Sequence, residues 1–198
     1  MKLYLIRHGR SEANLQRIFS GQNLNIDLTE QGEQEARAAG ELLRGISFDK
    51  VYSSDQRRAW RTQEIALPEY KAERLAMIRE YDVGTLTGLP IDASDQEIDR
   101  HRIAHDFTPY GGENNEMVRA RAERFLSLIT SLPYENVAAF SHVGFMKGLL
   151  DAATGVTHDP SLFACSNCGI CVFEYKEGKW QVLHWNVAPF MKIEIAEA

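Results

Sequence analysis

Short apolar runs that stop abruptly at polar residues alternate along this chain with longer stretches whose apolar positions recur at helical spacing. The first run, residues 2–6, stops at Arg7-His8-Gly9 and predicts a buried strand. Thr29 reads as the N-cap of a helix reaching about Arg44, with Gly45 as its stop. Residues 50–53 predict a second strand, and residues 56–66 a helix that ends before Pro68. Across 116–132 the apolar residues Val118, Phe125, Leu128 and Ile129 keep helical spacing. A third strand is predicted over 136–141, then a helix over 144–153 closed by Gly155. Strands over 170–175 and 180–186 flank Lys176-Glu177-Gly178-Lys179, a hairpin signal.

Strands alternating with helices predict an α/β fold, a three-layer sandwich with a mainly parallel central sheet and helices on both faces. Residues 81–112 follow neither period and are expected to form a small, partly irregular cap insertion near the site. With no internal repeat and no Pro/Gly/Ser linker, residues 1–198 are expected to form a single domain.

Composition narrows the function classes. A 44% hydrophobic content over 198 residues suits a packed core and excludes disorder as the main state. No stretch approaches the roughly 20 apolar residues of a membrane span. Twenty-two Lys and Arg against 28 Asp and Glu leave a formal charge of −6, which opposes binding to nucleic acid or an anionic membrane. The first eight residues meet charge too early for a signal peptide, and three cysteines do not make a disulfide framework. A cytoplasmic location is the simplest expectation. The apolar stretch 190–195 suits either pairing into a homodimer or packing against its own chain.

In open α/β sheets, ligands bind beyond the carboxyl ends of the strands. Here the first predicted strand delivers Arg7 and His8, the second Ser53-Ser54 with Arg58 one turn into the next helix, and the third Ser141 and His142. Two arginines and two histidines on one sheet edge make a cationic pocket inside an acidic protein. The arginine fork suits phosphate oxygens, and helix N-termini after the strands add backbone donors. An anion site follows.

These residues carry a resemblance. L-I-R-H-G-R-S-E-A-N at 5–14 is similar to the signature of the histidine phosphatase superfamily, also called phosphoglycerate mutase-like. L-T-E-Q-G from Leu28, V-Y-S-S-D-Q-R-R-A from Val51, R-E-Y-D-V-G from Arg79, G-G-E-N from Gly111 with Arg121 downstream, and F-S-H-V-G from Phe140 follow in order. The resemblance implies a covalent mechanism in which His8 attacks phosphorus and the phosphohistidine is then hydrolysed. Arg7, Arg58 and His142 would hold the transferring phosphoryl oxygens, and Glu80 would give the leaving group its proton. Asn14, the Gly21-Gln22 backbone and Val143 would be further phosphate contacts. A unit-charge pair at 4 Å is worth about 4 kcal/mol at an effective dielectric of 20, so several cations suffice to hold phosphate, and no metal or organic cofactor is implied.

The activity implied is a phosphatase of a small phosphorylated metabolite, such as a sugar, glycerate or ribazole phosphate. The cofactor-dependent mutases of the family carry a longer chain and R-H-Y-G after the acidic residue, where this chain has Tyr81-Asp82-Val83-Gly84 after Glu80. A phosphoglycerate mutase and a noncatalytic phospholigand-binding protein on the same fold are the alternatives. Arg10, Val143, Asn114 and Leu86-Thr87 depart from the usual family pattern without removing a charge the chemistry needs, and Arg10 adds a cation for a second anionic group. Ser53 and Ser54 lack a nucleophile elbow and read as capping or phosphate contacts. Cys165, Cys168 and Cys171 resemble part of an iron–sulfur run, but the fourth cysteine is missing and a strand would split Cys168 and Cys171 between its faces. His101, His105, His158 and His184 read as surface or core residues, Arg57 and Arg61 as surface, and 180–186 as core patterning.

Overall fold

The computed structural model describes residues 1–22, 25–91 and 94–189, so the apolar stretch 190–195 lies outside the described residues. β1 (Lys2–Arg7) sends Leu3 and Leu5 into one apolar cluster and Tyr4 and Ile6 into another, the period-two alternation of a strand covered on both sides. It pairs in parallel with β4 (Asn136–Ser141), Leu5 opposite Ala139 and Arg7 opposite Ser141. β4 takes β2 (Lys50–Ser53) in parallel, and β2 takes the two-residue β3 (Glu73–Arg74) in parallel. On its other edge β1 meets an antiparallel hairpin of β5 (Ile170–Lys176) and β6 (Lys179–Val187), giving the order β3-β2-β4-β1-β5-β6. The hairpin turns on Glu177 and Gly178, both at positive φ, as a two-residue turn with right-handed twist requires.

Helices cover both faces. α2 (Glu30–Leu43) and α3 (Arg57–Ala66) contribute Leu43 and Ala66 to the cluster around Ile6 and Phe140. α5 (Asn115–Thr130) and α6 (Val143–Thr154) pack Phe125, Ile129, Phe145 and Leu149 around Leu3 and Leu5. Thr29 caps α2 by accepting from Gly32 N–H at 3.1 Å, and Gly155 closes α6 in the left-handed region. No helix of the described residues is long and apolar enough to cross a membrane.

The period-based expectation misses the short elements. α1 (Glu12–Gln16) is a single turn held by a Ser11–Asn14 capping box. α4 (Gln96–Ala104) lies inside the stretch expected to be irregular; it buries no residue, so it has no apolar stripe to read, and Asp95 caps it. β6 corrects the core reading of 180–186. It is an outer strand with Val182 and Leu183 exposed, and only Trp180 and Trp185 pack against the core.

The turn after β1 sits backbone to backbone on the first turn of α2. A methyl on Gly9 would stand 2.4 Å from the Gly32 carbonyl oxygen, and one on Gly32 would stand 2.0 Å from that of Arg10. Arg10 O also accepts from Thr29 N at 2.9 Å and Thr29 Oγ1 at 3.1 Å, so it cannot retreat freely. Alanine would ordinarily favour a helical position over glycine by about 1 kcal/mol. The clash is with backbone and outweighs that gain, since overpacking costs about 1–3 kcal/mol. Gly32→Ala is therefore expected to lower stability by about 1–2 kcal/mol, read as a lower urea midpoint at unchanged slope.

Candidate active site

The parallel register carries β1, β4 and β2 to one level. His8 N donates to Ser141 O at 2.9 Å and Ser54 N to Phe140 O at 2.8 Å, so His8, His142 and Ser54 leave the sheet side by side. The rings of His8 and His142 lie 5.1 Å apart, tilted by 58°. Arg58 enters from the first turn of α3 and is fully buried.

Hydrogen bonding sets the chemical state of His8. Its Nδ1 lies 2.7 Å from Gly9 O, which can only accept, so Nδ1 carries the proton and Nε2 keeps its lone pair. Burial holds the His8 pKa well below the usual histidine value, and the charges of Arg58 and Arg7 lower it further. His142 is depressed in the same way, by burial first and then by Arg58, His8, Arg7 and Arg121. Burial brings Arg58 down to about 10, opposed by Glu80 and assisted by Arg7, so it stays charged at neutral pH.

The arginines are tied at one end and open at the other. Arg7 Nη1 donates to Cys165 O at 2.6 Å, and Arg58 Nη2 to Gly21 O at 3.2 Å and Gln56 Oε1 at 3.4 Å. Arg7 Nε, Arg58 Nε and Nη1, and both ring nitrogens of His142 are buried with no hydrogen-bond partner among the described residues. Buried polar groups are nearly always paired, so this many open nitrogens beside two cations form a pocket whose chemistry suits an oxyanion. Among the described residues no three His, Cys, Asp or Glu side chains group as metal ligands.

Glu80 closes the pocket from the cap side. Its carboxylate accepts from Tyr81 N at 2.9 Å and from Gly144 N, in the first turn of α6, at 3.2 Å. A methyl on Gly144 would stand 2.0 Å from Glu80 Oε1, so only glycine allows this approach. Behind Glu80 lies a buried ion pair: Arg121 grips Glu113 through Nε at 2.8 Å and Nη2 at 2.9 Å, with side chains only 10% and 12% exposed. Arg121 also donates to the carbonyls of Met77 at 2.7 Å and Arg79 at 3.1 Å. Gln22 Nε2 bridges Glu80 O at 2.9 Å and Glu113 Oε2 at 3.0 Å. The backbone on both sides of Glu80 is thus pinned to α5.

Of the residues singled out in the sequence, Arg7, His8, Arg58 and His142 come together, with Glu80 beside them. Asn14 is exposed, its amide oxygen used by the α1 cap and by Asn167 at 3.4 Å; Asn167 also donates to His8 O at 3.1 Å. Gly21, at positive φ, turns its carbonyl to Gln56 and Arg58, while Gln22 serves the Glu113 network and Val143 opens α6. Arg10 donates to Gln31 at 2.7 Å, and Arg57 pairs with Asp27 at 2.8 Å. Ser54 Oγ accepts from Gln56 N at 3.3 Å, a turn contact ahead of α3, and no side chain among the described residues caps that helix. Cys165 and Cys171 share one apolar cluster and hydrogen-bond to each other while Cys168 sits in another, so among the described residues the three thiols form no common ligand set. Gln56 and Glu113 escaped the sequence reading. Glu113 lies within the G-G-E-N motif, but its pairing with Arg121 appears only in three dimensions.

Residues 3–188 match the histidine phosphatase superfamily (branch 1). A 2,3-bisphosphoglycerate-dependent phosphoglycerate mutase of Brucella canis is 33% identical over 184 residues, covering 85% of this chain and 88% of that protein. A mycobacterial glucosyl-3-phosphoglycerate phosphatase, solved with VO3, superposes at TM-score 0.85 with 27% identity, covering 94% of this chain and 99% of that one. A phosphoserine phosphatase mutant of Entamoeba histolytica, solved with phosphoserine, shares the fold at TM-score 0.79 and 23% identity, covering 94% and 96% of the two chains.

The depressed histidines fix the sign of the pH dependence. Besides His8 and His142, burial and the charges of Lys147 and Arg102 hold His105 down at about 4. Below about pH 6.5 the unfolded chain takes up protons that the folded protein refuses, so stability is complete above that pH and is lost toward pH 4. Asp49, Asp106 and Asp159, whose pKa values are lowered from 3.8, act only at still lower pH. The urea midpoint is expected to fall steadily from pH 6.5 to 4, and His105→Asn is expected to flatten that fall in part.

Proposed function

The chain belongs to the histidine phosphatase superfamily and is an enzyme of that phosphatase class, and we propose that it hydrolyses small phosphomonoesters without a metal, through a phosphohistidine on His8 with Glu80 as proton donor. One observation carries this proposal: the open, buried nitrogens of Arg7, Arg58 and His142 surround a histidine whose Nε2 is free and unprotonated.

A phosphate dianion seated on those nitrogens brings phosphorus to His8 Nε2. The N–P bond forms as the ester P–O bond breaks, and the leaving oxygen takes the proton of the Glu80 carboxyl. The imidazole ring gains positive charge in this step, and the Gly9 carbonyl on Nδ1–H stabilises it. In the second half, water attacks phosphorus, Glu80 takes the water proton, and the N–P bond breaks to release inorganic phosphate. The charge that develops on the transferring phosphoryl group falls on fixed donors, the main lever in this chemistry. Gly21 contributes through its grip on Arg58. The Asn14 amide and the Val143 backbone are peripheral contacts, and residues 1–198 act as one domain with the 81–112 segment as a small cap.

The identity with a phosphoglycerate mutase favours a second activity, transfer between positions of phosphoglycerate. The match spans 88% of that protein, so chain length does not separate the two. The segment after Glu80 does bear on the choice: Tyr81-Asp82-Val83-Gly84 supplies no Arg-His pair to retain a diphosphorylated intermediate, and hydrolysis follows more readily.

A phosphoester panel run in chelator, with mass spectrometry under acid-avoiding conditions, checks the proposal. Release of phosphate, a transient phosphate on His8, and a loss of about 10⁴-fold or more in kcat for His8→Ala are expected. Isomer appearing faster than free phosphate from labelled phosphoglycerate would make the mutase the better description. Retained turnover in His8→Ala would overturn the nucleophile assignment.

A further inference from the structure

One cation beside the pocket has no role in holding the transferring phosphate. Gly144 donates to the Glu80 carboxylate at 3.2 Å, and Lys147, three residues on in α6, shares that helical face one turn farther from His142. Lys147 is half-buried and, among the described residues, has neither an ion pair nor a hydrogen bond. The charges it feels include Glu80 and Arg7, which flank the phosphate pocket, and Asp159. Burial lowers its pKa, Arg7 adds to that effect, and Glu80 and Asp159 oppose it. Asp159 is already engaged by Ser161 through N at 2.9 Å and Oγ at 2.7 Å, so it does not close onto the ammonium. From the cap, His105 faces the same charge, with its ring 5.5 Å from Tyr81.

A partly buried ammonium with no direct partner is costly, and an anion arriving with the substrate lowers that cost. Because Glu80 protonates the leaving oxygen, the alcohol part of the substrate begins at Gly144 and runs outward along α6. One turn of three residues spans about 4.5 Å, the scale of a three-carbon skeleton. Lys147 supplies one positive charge, which a single carboxylate balances, whereas a second phosphate dianion would leave uncompensated negative charge beside Glu80. Resting on the phosphatase reading above, we propose that Lys147 binds a carboxylate on the leaving alcohol and so selects phosphomonoesters of short hydroxy acids.

The test compares 3-phosphoglycerate with glycerol 3-phosphate, which share a three-carbon skeleton and differ in having a carboxylate or a hydroxymethyl group. In the wild-type protein kcat/KM is expected to favour the acid. In Lys147→Met the ratio of the two kcat/KM values is expected to fall about 30-fold, the size of one lost charge-assisted hydrogen bond. Lys147→Arg should keep most of the ratio, and thermal melts of both variants report whether the fold is intact. An unchanged ratio in Lys147→Met, with both substrates still hydrolysed, overturns the Lys147 assignment and leaves the phosphatase standing. If the wild-type protein releases phosphate from other esters of the panel but from neither of these two, this proposal is overturned and the phosphatase stands; failure across the whole panel overturns the phosphatase reading as well.

Discussion

Two arginines held at a sheet edge with no carboxylate partner among the described residues set the terms for everything around them. Arg58 is fully buried and Arg7 half-buried, in a protein whose acidic residues outnumber its basic ones. Each carboxylate nearby has another employment: Glu113 is gripped by Arg121, Asp55 by Arg79, Glu35 by the Arg10 N–H and Gln31, and Glu80 by Tyr81 and Gly144. Neutralising either arginine internally would close the anion site. Their charge has a second effect, because together with burial it keeps His8 and His142 neutral. In the proposed mechanism the cations that hold the phosphate thereby also keep the nucleophile unprotonated.

Holding such a cluster requires rigid surroundings. The parallel pairing of β1 with β4 and of β4 with β2 sets the two histidines and the start of α3 at one level without any help from loops. Close backbone packing does the rest. Gly9 on Gly32 presses the first turn onto α2, and Gly144 lets Glu80 reach the start of α6. The Glu113–Arg121 pair is buried and surrounded by hydrogen bonds to backbone carbonyls and Gln22, the condition under which a buried ion pair can be tolerated. Its contribution is positional. It holds residues 77–82, and so Glu80, against α5.

The region beyond Glu80 is built differently. α4 buries no residue, and the segment that follows it rests on a small aromatic group in which Phe107 meets Phe19 and Tyr81 edge to face. The phosphate end is thus defined by strand register and buried charge, whereas the leaving-group end is defined by a few side chains from the cap and from α6. In the proposed function this division lets one phosphate site serve different alcohols, with the choice among them made on the α6 side, where Lys147 lies.

The long elements and the charged centre were legible in the sequence because both rest on local signals. Residues 50–53 and 136–141 end where the apolar run ends, Thr29 and Gly45 bracket a helix, and Arg7-His8-Gly9 stands at a strand end where an anion site belongs. The helix α4 was not legible, since a solvated helix has no apolar period, and neither was the exposure of β6, since an outer strand is written like an inner one. What the sequence by itself determined is which residues lie at strand ends and which charges they carry. Only the tertiary structure decided that Glu113 pairs with Arg121, that Gly21 and Gln56 orient Arg58, and that α6, which carries Lys147, meets Glu80 through Gly144. The physical reason is that pairing depends on distance in space, and these partners lie far apart or unmarked along the chain.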